Sequence, residues 1–404
     1  MPVMSFQFGL DQLLADEQRL AQLRTLSVGL VAHPASVTSV LQPSADALLA
    51  AGVNLVRLFG PQHGMRGDKQ DNMIESEDYV DPLHEIPVLS LYGQYRRPTP
   101  EMLSGLDVIL FDLQDIGCRI YTYITTLRYF MEACAQDSIE MWILDRPNPA
   151  GRPIDGLLLE SGQESFVGVD SLPCRHGLTT GELAQWFNTR LVMPADITVI
   201  TMTEYVINEN PGYGWPSHRQ PWINPSPNAS SLNMARCFPG TVLIEGTNLS
   251  EGRGTTTPLE LMGAPDFPTA DILQLLAEKA PQLSQGIILR PCNFEPAFQK
   301  HSSMICSGIQ FHTQLPSYRH QDFQPYALIA TLLKLLRNLR PDYELWRYHD
   351  YEYETERIPI DVINGGPWLR HWIDDPDRDL PELYQAIEMA RQSWSSTRQD
   401  YLLY

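Results

Sequence analysis

The sequence predicts an α/β protein in which a mostly parallel sheet is followed by a smaller α+β part. Two observations carry this expectation. Between residues 26 and 202, short apolar runs rich in β-branched residues alternate with helical stretches, the pattern of a parallel sheet covered on both faces. Past the glycine-rich segment at 240–258 the texture changes to strand-like alternation and long amphipathic stretches.

The strand candidates of the first part are 26–33, 53–60, 86–93, 107–115, 139–147 and 196–202, with helix candidates at 44–51, 99–106, 121–136 and 179–188. Thr99 followed by Pro100 and Glu101 reads as a helix cap with proline at the first helical position. Thr179 with Glu182 three residues on reads as a capping box. Residues 148–175 read as loop. Residues 211–239, rich in proline, tryptophan and asparagine, read as neither helix nor central strand. They form either a wall, in which Trp215 and Trp222 with Asn224, Ser226 and Asn228 suit a sugar, or an aromatic staple between domains. In the second part 286–290 and 304–313 alternate like strands, and 325–339 and 380–395 are helical. The acidic and aromatic run 343–356 reads as a surface segment without chemistry. The domain boundary is expected near residue 230, giving units 1–230 and 231–404.

With 404 residues the chain is long enough for two domains. Aspartate and glutamate number 49 against 29 lysines and arginines, a net charge of −20. Such a surface repels nucleic acid and anionic membrane, so an anionic ligand needs local arginines. The first twenty residues show no secretory signal, and no apolar run reaches membrane-spanning length. The six cysteines form no CxxC pair. They read as free thiols of a cytoplasmic protein, with disulfides of a periplasmic enzyme as the alternative.

Chemistry-bearing residues gather at the strand ends: His33; Gln62, His63 and Arg66; Tyr92; Asp112, Gln114 and Asp115; Asp145, Arg146 and Asn148. Open α/β sheets bind ligands outside the carboxyl ends of their strands, which points to one crevice. No GxGxxG or GxxxxGK[ST] follows a strand, so no nucleotide cofactor is implied. Residues 241–244 read as a further strand, emptying into a loop with Glu245, Asn248, Glu251 and Arg253 among glycines that permit unusual dihedrals and close approach. Paired carboxylates are the equipment of glycoside hydrolysis, one protonating the leaving oxygen and the other acting as base or nucleophile. The alternative is a tight turn whose carboxylates cap backbone groups or pair with Arg253. No HExxH, HxH or cysteine cluster supports a metal, although His33, His63, Asp112, Asp115, Asp145 and His176 lie near the crevice.

The segments FGPQHGMRGD (59–68), FDLQDIGCRIYTYITT (111–126), LDRPNP (144–149), RHGLTTGEL (175–183), PSPN (225–228) and EGTNLSEGRGTT (245–256) together resemble the NamZ family of exo-β-N-acetylmuramidases, formerly catalogued as a domain of unknown function. The resemblance covers most of the chain. It implies a Rossmann-like N-terminal domain, a smaller C-terminal domain and an active site in the cleft between them. The activity it implies is release of N-acetylmuramic acid from the non-reducing ends of peptidoglycan fragments, with a small saccharide as the partner and no cofactor.

One departure matters: many members read PEHG where this chain has Gln62. An amide neither donates nor accepts a catalytic proton at neutral pH. The substitutes are Glu245, Glu251, Asp112 and Asp115, or the acetamide of the substrate acting as nucleophile while Gln62 orients it. Arg66, Arg119, Arg146, Arg175 and Arg253 are candidates for the lactyl carboxylate of the sugar. His63, His176, Asn228 and Asn248 are candidates for its hydroxyls or acetamide. The reading requires acidic side chains from both halves to meet around one sugar. Its rivals are a binding protein that has lost turnover through Gln62 and a metal-dependent hydrolase.

Overall fold

The computed structural model describes residues 6–70 and 73–404; residues 1–5, part of the stretch read for a secretory signal, lie outside them. The parallel strands of its large sheet follow the apolar runs of the sequence. In chain order they are β1 (Val28–Val31), β2 (Leu55–Gly60), β3 (Tyr79–Val80), β4 (Pro87–Ser90), β5 (Val108–Phe111), β6 (Glu140–Leu144), β7 (Asp155–Leu158), β8 (Pro173–Arg175), β9 (Ile197–Ile200), β10 (Leu261–Ala264), β11 (Ile288–Phe294) and β12 (Cys306–His312). The large sheet has the order β3-β4-β2-β1-β5-β6-β9, with every pairing parallel except that of the short edge strand β3. Among its parallel strands the order runs outward in both directions from β1, so the topological switch point falls between β1 and β5.

Side chains alternate across this sheet as strand geometry requires. Val108, Leu110, Trp142 and Leu144 face a buried cluster built with Leu10, Leu13, Leu20, Leu23 and Leu48 of the helices Gly9–Ala15, Glu17–Leu23 and Ser44–Ala50. Ile109, Phe111, Met141 and Ile143 face the other cluster, with the helices Tyr123–Asp137 and Thr180–Asn188. That second cluster continues without a seam into Leu328, Ile329, Leu332 and Leu333 of the helix Pro325–Leu339. The smaller part holds the antiparallel sheet β10-β12-β11 and the helices Thr269–Lys279 and Leu380–Arg398. Among the described residues no helix is long and apolar enough to cross a membrane.

Three local expectations are overturned. The loop-like stretch 148–175 contains the hairpin β7-β8. The proline-rich stretch ends in a helix, Leu232–Thr241, capped by Ser231 and containing Pro239. All of its residues from Asn233 onward are buried, and tertiary packing of that extent overrides the missing proline hydrogen bond. Residues 241–244 form no strand: the chain passes from that helix directly into a 3₁₀ helix, Val242–Gly246. A four-residue apolar run carries no period that separates the two readings. The helix approaches its neighbour through Gly240, where a Cβ would sit 2.0 Å from the Pro325 carbonyl oxygen.

Gly240→Ala is therefore expected to force these two helices apart and lower stability by about 1–3 kcal/mol. A urea titration followed by circular dichroism measures it, and an unchanged midpoint would show that the contact is not needed.

Candidate active site

The pocket begins where β2 stops. Gly64 N–H donates to the Pro61 carbonyl at 2.8 Å, and His63 and Gly64 both take left-handed backbone, with φ of 70° and 77°. This tight reversal leaves Gln62 and His63 buried on the pocket wall. The Gln62 carboxamide is fixed at both ends. Its Oε1 accepts from Thr122 Oγ1 at 2.6 Å, and its Nε2 donates to Glu352 Oε1 at 2.8 Å. Tyr92, just past β4, donates its hydroxyl to Glu352 Oε2 at 2.7 Å. Burial, reinforced by the charge of Glu352, pushes the Tyr92 phenol far above its ordinary range, so it stays a donor.

The facing carboxylate comes from the 3₁₀ helix. Glu245 Oε1 accepts from Arg253 Nη2 at 2.7 Å, and its Oε2 accepts from the Tyr351 hydroxyl at 2.8 Å. Burial alone would lower the Arg253 guanidinium, but Glu245 and Glu251 outweigh it and raise it. Glu251 pairs with Arg253 at 3.3 Å and with Lys300 at 2.8 Å. Ser250 and Gly263 exchange two backbone hydrogen bonds that anchor this loop to β10. Gly254 has φ of 84°, and a Cβ there would lie 2.5 Å from the Phe298 carbonyl oxygen, so the sequence's glycine is required. The resulting pocket lies between Gln62, Tyr121, Asn228, Glu245, Tyr351 and Glu352.

Two segments of the chain match family models covering nearly all of it: residues 28–233 match "Exo-beta-N-acetylmuramidase NamZ, N-terminal" and 236–404 match "Exo-beta-N-acetylmuramidase NamZ, C-terminal". The chain belongs to the NamZ family. It is 37% identical over 400 residues to the peptidoglycan beta-N-acetylmuramidase NamZ of Bacillus subtilis strain 168, covering 98% of this chain and 91% of that protein. Two crystal structures of DUF1343 family proteins from Bacteroides fragilis NCTC 9343 are similar throughout. One aligns with a TM-score of 0.86 at 29% identity over the full length of both chains, the other with 0.74 at 25% over 99% of each.

Within this NamZ architecture the sequence-derived candidates separate into groups. Gln62, His63, Asn228, Glu245 and Arg253 line the pocket. Glu251 lies behind Arg253, lining an adjoining chamber with Glu245. Asp112 and Asp115 do not line the pocket. Asp112 is fully buried in a two-pronged ion pair with Arg146, at 2.6 and 2.9 Å, and Asp115 accepts from the Gly117 N–H at 2.6 Å with His176 Nε2 3.6 Å away. Both aspartates, Arg146 and His176 are thus buried at the strand ends, where Asp112 and Arg146 neutralise one another. Arg119 donates to four backbone carbonyls and Arg175 to those of Ala150 and Phe323. Arg66 stacks over Tyr79, 4.2 Å from the ring centre, in a separate groove. Asn248 clasps the chain, donating to the carbonyls of Glu344 at 2.7 Å and Trp346 at 3.2 Å. Trp215 and Trp222 pack edge to face on each other and do not line the pocket.

Tyr351 and Glu352 were missed. They lie in the run read as an inert surface segment, yet both are buried and reach Glu245 and Gln62. Tyr121 and Thr122 were also passed over, although they lie inside a recognised motif. Among the described residues no three His, Cys, Asp or Glu side chains cluster as metal ligands.

His33, at the end of β1, ties the PSPN segment to the sheet: Nδ1 donates to the Pro225 carbonyl at 3.0 Å, and Nε2 accepts from the Gln114 N–H at 2.8 Å. Burial first, and Arg146 second, push it down from 6.5 to about 3. Below pH 6.5 the unfolded chain therefore binds a proton that the folded chain refuses. Stability from this residue is present above that pH and falls by about 1.4 kcal/mol per unit as the pH drops towards 3. Urea unfolding at pH 7, 6 and 5 should show wild type losing about one proton's worth of stability more than His33→Asn; parallel curves would remove the assignment.

Proposed function

We propose that this protein is a glycosidase that releases N-acetylmuramic acid from the non-reducing ends of peptidoglycan fragments, acting in the cytoplasm on small saccharides. Membership of the NamZ family and the activity in the name of the Bacillus subtilis relative support the reaction class. The observation that carries the site is the meeting of two buried carboxylates, Glu245 and Glu352, on one pocket. The six cysteines are all free, with Cys118 and Cys174 sulfurs 3.8 Å apart and unbonded, which supports a reducing compartment.

The roles follow from what holds each carboxylate. Glu245 is paired with a guanidinium, so its negative charge can persist in the pocket without the cost of an isolated buried ion. It serves as the fixed anion that stabilises positive charge developing at the anomeric carbon or that orients the attacking water. Glu352 meets two uncharged donors, the Gln62 amide and the Tyr92 hydroxyl. A carboxyl held on the pocket in this way can carry the proton that the leaving oxygen takes. Gln62 then acts as a positioning residue: with Thr122 on its oxygen and Glu352 on its nitrogen, its amide aims the carboxyl instead of holding the substrate's acetamide. The acetamide remains available as an internal nucleophile. Loss of turnover through Gln62 is the second reading, favoured by the family glutamate that this chain lacks.

Incubation with a chromogenic N-acetyl-β-muraminide decides between them. The glycosidase reading expects chromophore release, with Glu352→Gln and Glu245→Gln each lowering kcat by about 10²–10⁴. Sugar binding without release, together with activity gained by Gln62→Glu, would establish the binding protein. In an active enzyme Gln62→Glu has a different signature. Two carboxyls at hydrogen-bond distance share a proton, which raises the pKa at which the second one leaves. The protonated donor then persists to higher pH, so the basic limb of the pH–rate profile moves upward. A limb that stays in place would show that Glu352 is not the acid.

A further inference from the structure

The pocket shares Glu245, Arg253 and Tyr351 with an adjoining chamber of about 120 Å³ that reaches Glu251, Lys300, Arg347 and His349. Three basic side chains and two carboxylates line this chamber, in a protein whose net charge is −20. Two of the cations are committed. Arg253 holds both glutamates, and Lys300 holds Glu251 along with the carbonyls of Ile244 and Thr247, at 2.8 and 3.0 Å. Arg347 differs. Its backbone N–H is fixed on the Gly246 carbonyl at 3.1 Å, while its guanidinium makes no hydrogen bond or ion pair with any described residue. Beside it, His349 Nδ1 is buried without a partner among the described residues. Burial, then the charges of Arg347 and Lys300, push His349 below its ordinary value, so it faces the chamber as a neutral imidazole able to donate one N–H.

A half-buried guanidinium with five unused donors, next to an imidazole without a partner, is a receptor for one carboxylate. The other arginines near the strand ends and the 245–256 loop are already occupied: Arg119 and Arg175 by backbone carbonyls, Arg146 by Asp112, Arg253 by its two glutamates, and Arg66 by Tyr79 in another groove. We propose that Arg347, assisted by His349, binds the lactyl carboxylate of N-acetylmuramic acid, making this chamber the determinant that distinguishes muramic acid ends from N-acetylglucosamine ends. The inference rests on the glycosidase reading above. It adds what selects the sugar: a charge-bearing 3-O substituent, received on the far side of Glu245 from Glu352.

The test compares a chromogenic N-acetyl-β-muraminide carrying a free lactyl carboxylate with its lactyl methyl ester, using wild type, Arg347→Met and Arg347→Lys. The ratio of kcat/KM for acid over ester is independent of how much protein is folded. Arg347→Met should lower that ratio by about 10- to 100-fold, and Arg347→Lys, which restores a charge without the fork, should recover part of it. An active Arg347→Met enzyme with the wild-type ratio would overturn the assignment and leave the glycosidase reading standing. If wild type hydrolyses neither substrate, the glycosidase reading fails by itself. Calorimetric binding of N-acetylmuramic acid and its methyl ester then settles Arg347: a preference for the acid that Arg347→Met abolishes supports it, and equal affinities overturn it.

Discussion

The hydrogen bond from the Gln62 amide to the Glu352 carboxylate joins residues 290 positions apart, and the pocket exists in this form because that contact is between an amide and an acid. A neutral donor at 2.8 Å lets a carboxylate sit against the end of β2 without repulsion. A second carboxylate in its place would require a shared proton. The other oxygen of Glu352 is held from the end of β4 by Tyr92, so two neighbouring strands of the parallel sheet together orient one acid from the C-terminal part. Delivery of that acid depends on backbone contacts. Asn248, Thr247 and Gly246 each bond to the 344–347 segment, which sets the path of the chain through Tyr351 and Glu352.

The strand ends of the large sheet are dense in polar residues, but most of those residues hold the site up and do not face it. At the switch point the chain brings Asp112, Asp145, Arg146 and His33 into a region with almost no water. There an unpaired charge costs several kcal/mol. Asp112 with Arg146 is the resolution for one pair. Asp145 is surrounded instead by the hydroxyls of Thr179 and Tyr404 and the N–H groups of Arg146 and Gly181. Burial still dominates and lifts it to about 7. This layer fixes the strand ends rigidly, and the pocket lies above it, where Gln62, Tyr121 and Asn228 meet the C-terminal part.

Sequence periodicity made the large sheet legible because its strands are buried on both faces and read as continuous apolar runs. The helix caps at Thr99 and Thr179 were legible because each acts within three residues. The family motifs located the pocket through Gln62, Asn228, Glu245 and Arg253. What stayed hidden depends on long-range contact. Nothing local in an acidic, aromatic run distinguishes Glu352, buried against Gln62, from Glu344 or Glu356 beside it. The same limit explains Asp112, whose position at a strand end is compatible with ligand binding until Arg146 is seen to enclose it. Burial within a helix pair likewise decided the conformation of 241–244, for which composition alone favoured a strand.

Glu245 and Glu352 are both glutamates on one pocket, yet the structure treats them in opposite ways. Glu245 begins an alternating series, Glu245, Arg253, Glu251, Lys300, in which each charge is compensated by the next. Burial pushes the Glu251 carboxyl up, but Lys300 and Arg253 outweigh it and hold it below the usual range. Removing any member would leave an uncompensated buried charge on its neighbour, which ties Glu245 to a single electrostatic state. Glu352 meets the Gln62 amide and the Tyr92 hydroxyl, whose bonds orient it without countering its charge. Glu245 is thus committed to a series of ion pairs, while these two bonds of Glu352 fix the direction of its carboxyl at the ends of β2 and β4. Catalysis by two carboxylates needs this asymmetry, one fixed in charge and one able to exchange a proton.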